Sequence, residues 1–269
     1  MAVTWLARAL GRFTGRSGGG GATEGRLIYA IGDVHGRYDL MTDLLASILA
    51  DGAARAEGRR PLVIFCGDYV DRGPDSARVM EALTWLVRRE DVEVRLLKGN
   101  HEQALMSFIE APELAGPWLR YGGDATLAAY GVKPPEADDD PVQMRAARDA
   151  LLERMPSSHL RLIEQMELMF VIGDYAFVHA GIEPGVALSE QTEQNLLWIR
   201  EGFIGDEGPF EKVIVHGHTW TDSRPALLPH RIGLDTGAYA TGVLTAVRFD
   251  GEDMAVLQVR DPALALETA

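Results

Sequence analysis

LIYAIGDVHG at residues 27–36 and LVIFCGDYVDRG at 62–73 share one plan: an unbroken apolar run, then glycine, then aspartate. A run of four or five apolar residues that stops at a polar turn reads as a strand buried on both faces. A helical pattern near 38–50 separates the two runs and a second follows over 75–89, so the chain spells strand, helix, strand, helix. This is the logic of an α/β fold. VEVRLL at 92–97 supplies a third strand and His101–Glu110 opens another helix, which predicts a mainly parallel sheet covered by helices in the first half.

Residues 111–167 carry no convincing strand but show helical periodicity in ATLAAY, VQMRAARDALLERM and HLRLIEQM, and read as a helical insertion. Strands resume at 168–172, 175–179, 213–216, 231–235, 243–249 and 254–260, and Asp250-Gly251-Glu252-Asp253 between the last two is a hairpin signal. No internal repeat is visible.

At 269 residues the chain is long enough for one sizeable core, taken as a single domain over 26–269. A net charge of -14 repels polyanions, which argues against long nucleic acid as a partner. No run of 18 apolar residues is present to span a bilayer. One cysteine, Cys66, rules out an intrachain disulfide and a zinc-thiolate cluster and fits a reducing, cytoplasmic compartment. Cys66 itself reads as a small core residue. Residues 1–25 stand apart: Trp5, Leu6, Leu10 and Phe13 recur at helical spacing with Arg8, Arg12 and Arg16 between them, ahead of a glycine run. The plainer expectation is a flexible tail. The alternative is a basic amphipathic helix that touches an anionic membrane or a partner.

Five apolar runs end in a polar, metal-capable residue beside a glycine: AIGDVHG, FCGDYVDRG, LLKGNHE, FVHAG and VIVHGHT. Singly, Gly-Asp after a strand is a turn and a lone histidine is structural. Together they place Asp33, His35, Asp68, Asn100, His179 and His218 at strand ends, where open α/β sheets converge on one crevice. Mixed oxygen and imidazole ligands suit first-row divalent ions, and five of the seven histidines lie in these motifs. Two such ions need a shared carboxylate, for which Asp68 is the candidate, and acidify a water that attacks phosphorus in line. The cluster would carry a charge of about +1 and attract phosphate despite the acidic chain.

GDVHGRYD, GDYVDRGPDS, GNHE, HAG and GHT, in this order from Gly32 to Thr219, resemble the calcineurin-like metallophosphoesterase superfamily, and within it the compact bacterial and phage serine/threonine phosphoprotein phosphatases. The resemblance implies a four-layer α/β/β/α sandwich. It implies that Asp33, His35 and Asp68 hold one metal and that Asn100, His179, His218 and the same Asp68 hold the other. His101 would be the general acid, Asp71 its carboxylate partner, and Arg72 and Arg200 the phosphate clamps. The two ions would be manganese, with iron or zinc as alternatives. His218 is followed by Thr219-Trp220, so the further histidine that some relatives place two residues after this GH is absent.

The activity so implied is hydrolysis of phosphomonoesters, phosphoserine or phosphothreonine in proteins first. A symmetrical dinucleoside polyphosphate hydrolase is the alternative, and a non-catalytic scaffold that binds phosphorylated partners a remote third. Trp118, Arg120, Tyr121 and the Gly122-Gly123 pair read first as helix packing around a Gly-Gly turn, with the lining of a substrate pocket as the alternative. His216 has no assigned role. Asp235, at another strand end, would orient a metal-binding histidine or close a turn.

Overall fold

The computed structural model describes residues 4–7 and 22–264. Its elements run β1 (Thr4–Ala7), β2 (Leu27–Ile31), α1 (Tyr38–Arg55), β3 (Leu62–Phe65), α2 (Ser76–Leu86), β4 (Glu93–Leu96) and α3 (Asn100–Glu110). The insertion follows as α4 (Gly116–Trp118), a π-helical turn at Leu119–Gly123, α5 (Asp124–Ala129), α6 (Pro141–Arg154) and α7 (Ser157–Glu164). The second half holds β5 (Met169–Ile172), β6 (Tyr175–Val178), α8 (Glu193–Trp198), α9 (Glu201–Ile204), β7 (Val213–His216), β8 (Ala226–Leu227), β9 (Arg231–Gly233), α10 (Ala238–Thr241), β10 (Val243–Asp250) and β11 (Asp253–Arg260).

Two sheets form. The first has the order β1-β11-β10-β2-β3-β4, with β2, β3 and β4 parallel as expected and the β10–β11 hairpin added antiparallel beside β2. The second has the order β5-β6-β7-β9-β8, with β6, β7 and β9 parallel and antiparallel strands at both edges.

Side-chain alternation along β2 shows how the layers are cemented. Leu27, Tyr29 and Ile31 pack outward beneath α1 and α2, while Ile28 and Ala30 face the second sheet. Between the sheets Ile64 and Cys66 meet Phe177, Val215, Ile232 and Leu234. On the far face of the second sheet Ala176, Val178 and Ile214 pack with Leu196 and Phe203 from α8 and α9. Helices, sheet, sheet, helices is the expected α/β/β/α sandwich. Both faces of each central strand are covered, which is why these runs are apolar throughout rather than alternating.

The amino-terminal expectation meets a difference. Thr4–Ala7 is an edge strand paired with β11 in the register Thr4↔Gln258, not part of a helix. A short isolated helix is marginal in water, whereas the free edge of β11 offers ready backbone partners. The rest of the predicted amphipathic segment, with Leu10, Phe13 and the three arginines, lies outside the described residues. Residues 22–25, assigned to the tail by sequence, form a turn bonded to the body: the Asp174 N–H donates to the Ala22 carbonyl at 3.0 Å and the Gly251 N–H to Thr23 Oγ1 at 3.2 Å. Among the described residues no helix is long and apolar enough to cross a membrane.

Candidate functional site

The strand ends of both sheets meet. Asp33 and His35 follow β2, Asp68 follows β3, and Asn100 and His101 open α3 just beyond β4. His179 follows β6, His218 follows β7 and Asp235 follows β9. All eight are buried. Glycine permits this crowding: a Cβ on Gly67, whose φ is +102°, would lie 2.7 Å from His179 Nδ1 and 2.8 Å from the Gly99 Cα.

Asp68 is the hub. Its Oδ2 is 3.4 Å from His35 Nε2, and its Oδ1 is 3.5 Å from His179 Nε2. His35, Asp68 and His101 form one group able to hold a metal ion, and Asp68, His179 and His218 form another. Asn100 Oδ1 lies 2.8 Å from both His179 Nε2 and His218 Nδ1. His35 donates through Nδ1 to the Val70 carbonyl and His179 through Nδ1 to the Cys66 carbonyl, each at 2.8 Å, so both rings turn an Nε2 lone pair into the site. His35 Nε2 is buried without a hydrogen-bond partner. Asp33 accepts the His218 N–H at 3.0 Å and faces Asp235, whose own partners are Asp33 and the Gly237 N–H rather than a histidine.

The electrostatics are those of a cation site. Burial, then Asp235 and Asp68, push the Asp33 pKa well above the carboxylate range, and burial pushes Asp235 up to about 6. Burial also raises Asp68, but the surrounding histidines more than offset it and hold this carboxyl low. Burial depresses His35, His179 and His218, the last to about 2. Neutral imidazoles and crowded carboxylates make a donor set that divalent cations fit, and the unpartnered His35 nitrogen points to the same use.

Beside this cluster, His101 Nδ1 meets Asp71 Oδ2 at 2.6 Å while its Nε2 is 3.0 Å from Arg72 Nη2. Burial lowers the His101 pKa, but Asp68 and Asp71 together carry it above the ordinary value. The Arg72 guanidinium lies over the Tyr239 ring, 4.6 Å from its centroid, and Arg200 Nε donates to His218 Nε2 at 3.0 Å. Both arginines expected from sequence therefore border the cluster.

Among the described residues, five of the seven non-glycine residues with positive φ are here: His35, Asp68, Asp71, Arg72 and His218. Such a conformation costs about 1–3 kcal/mol per residue and persists where neighbours over-determine it. Glu102 is one such neighbour. Its buried carboxylate accepts the N–H groups of Asp68, Tyr69, Val70 and Gly99 at 2.8–3.2 Å. Burial and Asp68 push its pKa up to about 7, against the pull of the backbone donors. Sequence reasoning quoted GNHE without assigning this glutamate. Its place three residues after Gly99, as in a capping box, was the available signal. Tyr239 was also missed, and nothing in LDTGAY marks it.

Elsewhere the packing expectation holds over the pocket one. Trp118 is 4% exposed, stacked near Phe108 and donating Nε1–H to Asp71, so it does not line an open pocket. Arg120 pairs with Asp138, and Tyr121 is exposed. Cys66 is a core residue whose thiol burial pushes up. His216 is a core residue too: its ring packs edge-on against Phe203 at 5.1 Å, and burial lowers its pKa to about 3. The folded protein keeps it neutral while the unfolded chain takes up a proton near pH 6.5, so this contribution to stability is complete above pH 6.5 and is lost as pH falls from there toward 3. In urea unfolding of the metal-free protein, the wild type should lose about 2 kcal/mol more than His216→Gln between pH 7 and pH 5. Equal losses would show that His216 is not held neutral.

Comparisons with known proteins agree with this geometry. The family model for calcineurin-like phosphoesterase matches residues 26–228. A bis(5'-nucleosyl)-tetraphosphatase PrpE of Oceanobacillus iheyensis, named as asymmetrical, is 27% identical over 256 residues, covering 87% of this chain and 93% of that protein. A protein of the same name from Halalkalibacterium halodurans is 25% identical over 250 residues, covering 87% of this chain and 95% of its own. A crystal structure provisionally described as a diadenosine tetraphosphatase superposes with a TM-score of 0.60 at 20% identity, covering 88% of this chain and 94% of that one. These relatives are named for asymmetrical cleavage, so they give no support to the symmetrical hydrolase that stood as the alternative from sequence. With the match running from β2 through β8 and taking in every strand end that builds the cluster through His218, the chain belongs to the calcineurin-like phosphoesterase family and is a metallophosphoesterase.

Proposed function

We propose that this enzyme hydrolyses phosphomonoesters whose leaving group is an alkoxide, phosphoserine and phosphothreonine in proteins foremost. The observation that carries this reading is the His101–Asp71 pair at 2.6 Å. A positioned acid contributes most where the departing oxygen is strongly basic, as an alkoxide is, and least where a phosphate departs.

In this reading Asp33, His35 and Asp68 hold one divalent ion, and Asp68, Asn100, His179 and His218 the second, with manganese as the proposed metal. Bound there, the pair of ions supplies Lewis acidity and lowers the pKa of a water. The chain does the rest. Arg72 and Arg200 grip non-bridging phosphate oxygens with planar guanidinium forks. His101 delivers the Nε2 proton to the leaving oxygen as its bond to phosphorus breaks, and Asp71 keeps the ring oriented through Nδ1. The proposed location is cytoplasmic, on the single reduced thiol of Cys66.

The relatives' names favour a second reading, asymmetrical cleavage of a dinucleoside tetraphosphate into unequal nucleotides. One experiment separates them: kcat/KM side by side on a phosphoserine peptide, p-nitrophenyl phosphate and diadenosine tetraphosphate, with manganese, iron or zinc supplied singly. The expected result is faster turnover of the phosphopeptide than of the dinucleotide, abolished by chelation. Preferential release of unequal nucleotides from diadenosine tetraphosphate would establish the second reading instead, and metal binding without turnover of any substrate would leave only a phosphate-recognising scaffold.

A further inference from the structure

Asp71 is fully buried, and both carboxylate oxygens are engaged. Oδ2 accepts from His101 Nδ1 at 2.6 Å and from Trp118 Nε1 at 2.8 Å, and Oδ1 accepts the Thr126 hydroxyl at 2.6 Å. The backbone N–H of Asp71 donates in turn to Thr126 Oγ1 at 2.8 Å and to Ser76 Oγ at 3.1 Å. Asp71 and Arg72 are consecutive non-glycine residues with φ of 72° and 67°, a conformation that needs outside support. Support for Arg72 also comes from the insertion, where the Gly122 carbonyl accepts the Arg72 N–H at 3.1 Å.

Trp118 is itself immobilised. Its ring lies 4.6 Å from the Phe108 ring and against Gly123, where a Cβ would strike the indole. Trp118 and Thr126 lie 47 and 55 residues along the chain from Asp71, so the insertion reaches back to the catalytic pair through two side chains and one carbonyl.

We propose that Trp118 and Thr126 are positioning residues for proton delivery: they lock the Asp71 carboxylate so that His101 Nε2 faces the leaving oxygen, and the insertion thereby sets which phosphoesters are cleaved efficiently. The inference rests on the reading of His101 as the acid. The proton passes from His101 Nε2 to the alkoxide oxygen as the P–O bond breaks, Asp71 stays ionised, and neither Trp118 nor Thr126 touches substrate. A carboxylate bonded on both oxygens cannot rotate, so the ring it holds through Nδ1 keeps one plane. Without the indole N–H and the hydroxyl, Asp71 gains rotamers and the acid is misaligned, which penalises basic leaving groups alone.

The test uses the full-length, metal-loaded enzyme with two substrates of contrasting leaving group, a phosphoserine peptide and p-nitrophenyl phosphate. Trp118→Phe keeps the aromatic packing and removes the N–H. It should lower kcat on the peptide by about 10- to 100-fold, and on the aryl ester by less than about threefold, with KM and metal content unchanged. Thr126→Val should act in the same direction and Thr126→Ser should restore activity, so the outcome does not hang on one variant folding. Equal losses on both substrates, or no loss, would overturn the proposal. His101→Ala run in parallel keeps the two ideas apart: if it shows no leaving-group preference the acid assignment fails, whereas if it does and the Trp118 and Thr126 variants do not, the positioning role alone fails. A readout free of turnover is the exchange of the His101 Nδ1–H proton with solvent, followed by NMR in the metal-free protein. Exchange should quicken in Trp118→Phe and Thr126→Val, and an unchanged rate would mean that Asp71 is held without them.

Discussion

Replacing His101 by alanine is expected to lower kcat on a phosphoserine peptide by about 10²- to 10⁴-fold, the usual contribution of a positioned acid, while two metal ions stay bound. The size follows from the pairing: a ring held by Asp71 at 2.6 Å and flanked by Arg72 at 3.0 Å is already oriented before substrate arrives. The metal content is the sharper half of the measurement. His101 Nε2 lies 3.9 Å from Asp68 Oδ2, and His101 forms a potential ligand group with His35 and Asp68. An imidazole in that place has two uses, ligand or acid. Elemental analysis that finds one ion lost from His101→Ala would make it a ligand and leave the leaving group without its donor. Two ions retained, with kcat alone depressed, is the outcome expected of an acid that touches only the reacting oxygen.

Asp68→Asn should abolish activity more completely, by at least about 10³-fold, because several kcal/mol of charge stabilisation by the ions depend on the one carboxylate shared between both groups. Asparagine is the informative replacement. It tolerates the left-handed backbone at this position, where φ is 54°, and it retains an oxygen to accept the His101 N–H that now reaches Asp68 Oδ1 at 3.1 Å. Folding should therefore survive, helped by the Glu102 carboxylate that binds the Asp68, Tyr69 and Val70 N–H groups. Thermal unfolding provides the check. The wild-type midpoint should rise with added manganese by mass action, and that of Asp68→Asn should barely move. A variant stabilised by manganese as strongly as the wild type would show that Asp68 is not shared between two ions.

The sequence reading and the structure part company in an orderly way. Every strand predicted from an apolar run is present, as at Leu27–Ile31 and Val213–His216, because a strand buried on both faces leaves an unambiguous local signature. Division into two sheets was beyond local reading. β4 and β5 belong to different sheets, yet nothing local in VEVRLL or LMFVI assigns either to its sheet, and pairing is decided by contacts distant in sequence. The hydrogen bonds that Trp118 and Thr126 of the insertion make to Asp71 were beyond local reading for a related reason. Trp118 and Thr126 have no motif of their own, and their partner Asp71 lies about fifty residues away.

By itself the sequence determined the α/β class, the helical insertion and the set of polar residues standing at strand ends, since strand, glycine turn and metal-capable side chain are written contiguously in each motif. Only the tertiary structure decided how those ends are arranged: Asp68 between two groups of histidines, His35 and His179 with their Nδ1 protons committed to backbone carbonyls, Asp235 turned to Asp33, and Asp71 locked by the insertion. The physical reason is one of range. Burial and turn chemistry act within a few residues and so leave a local record, whereas ring orientation, carboxylate crowding and the support of strained backbone arise where segments far apart in the chain exclude water together.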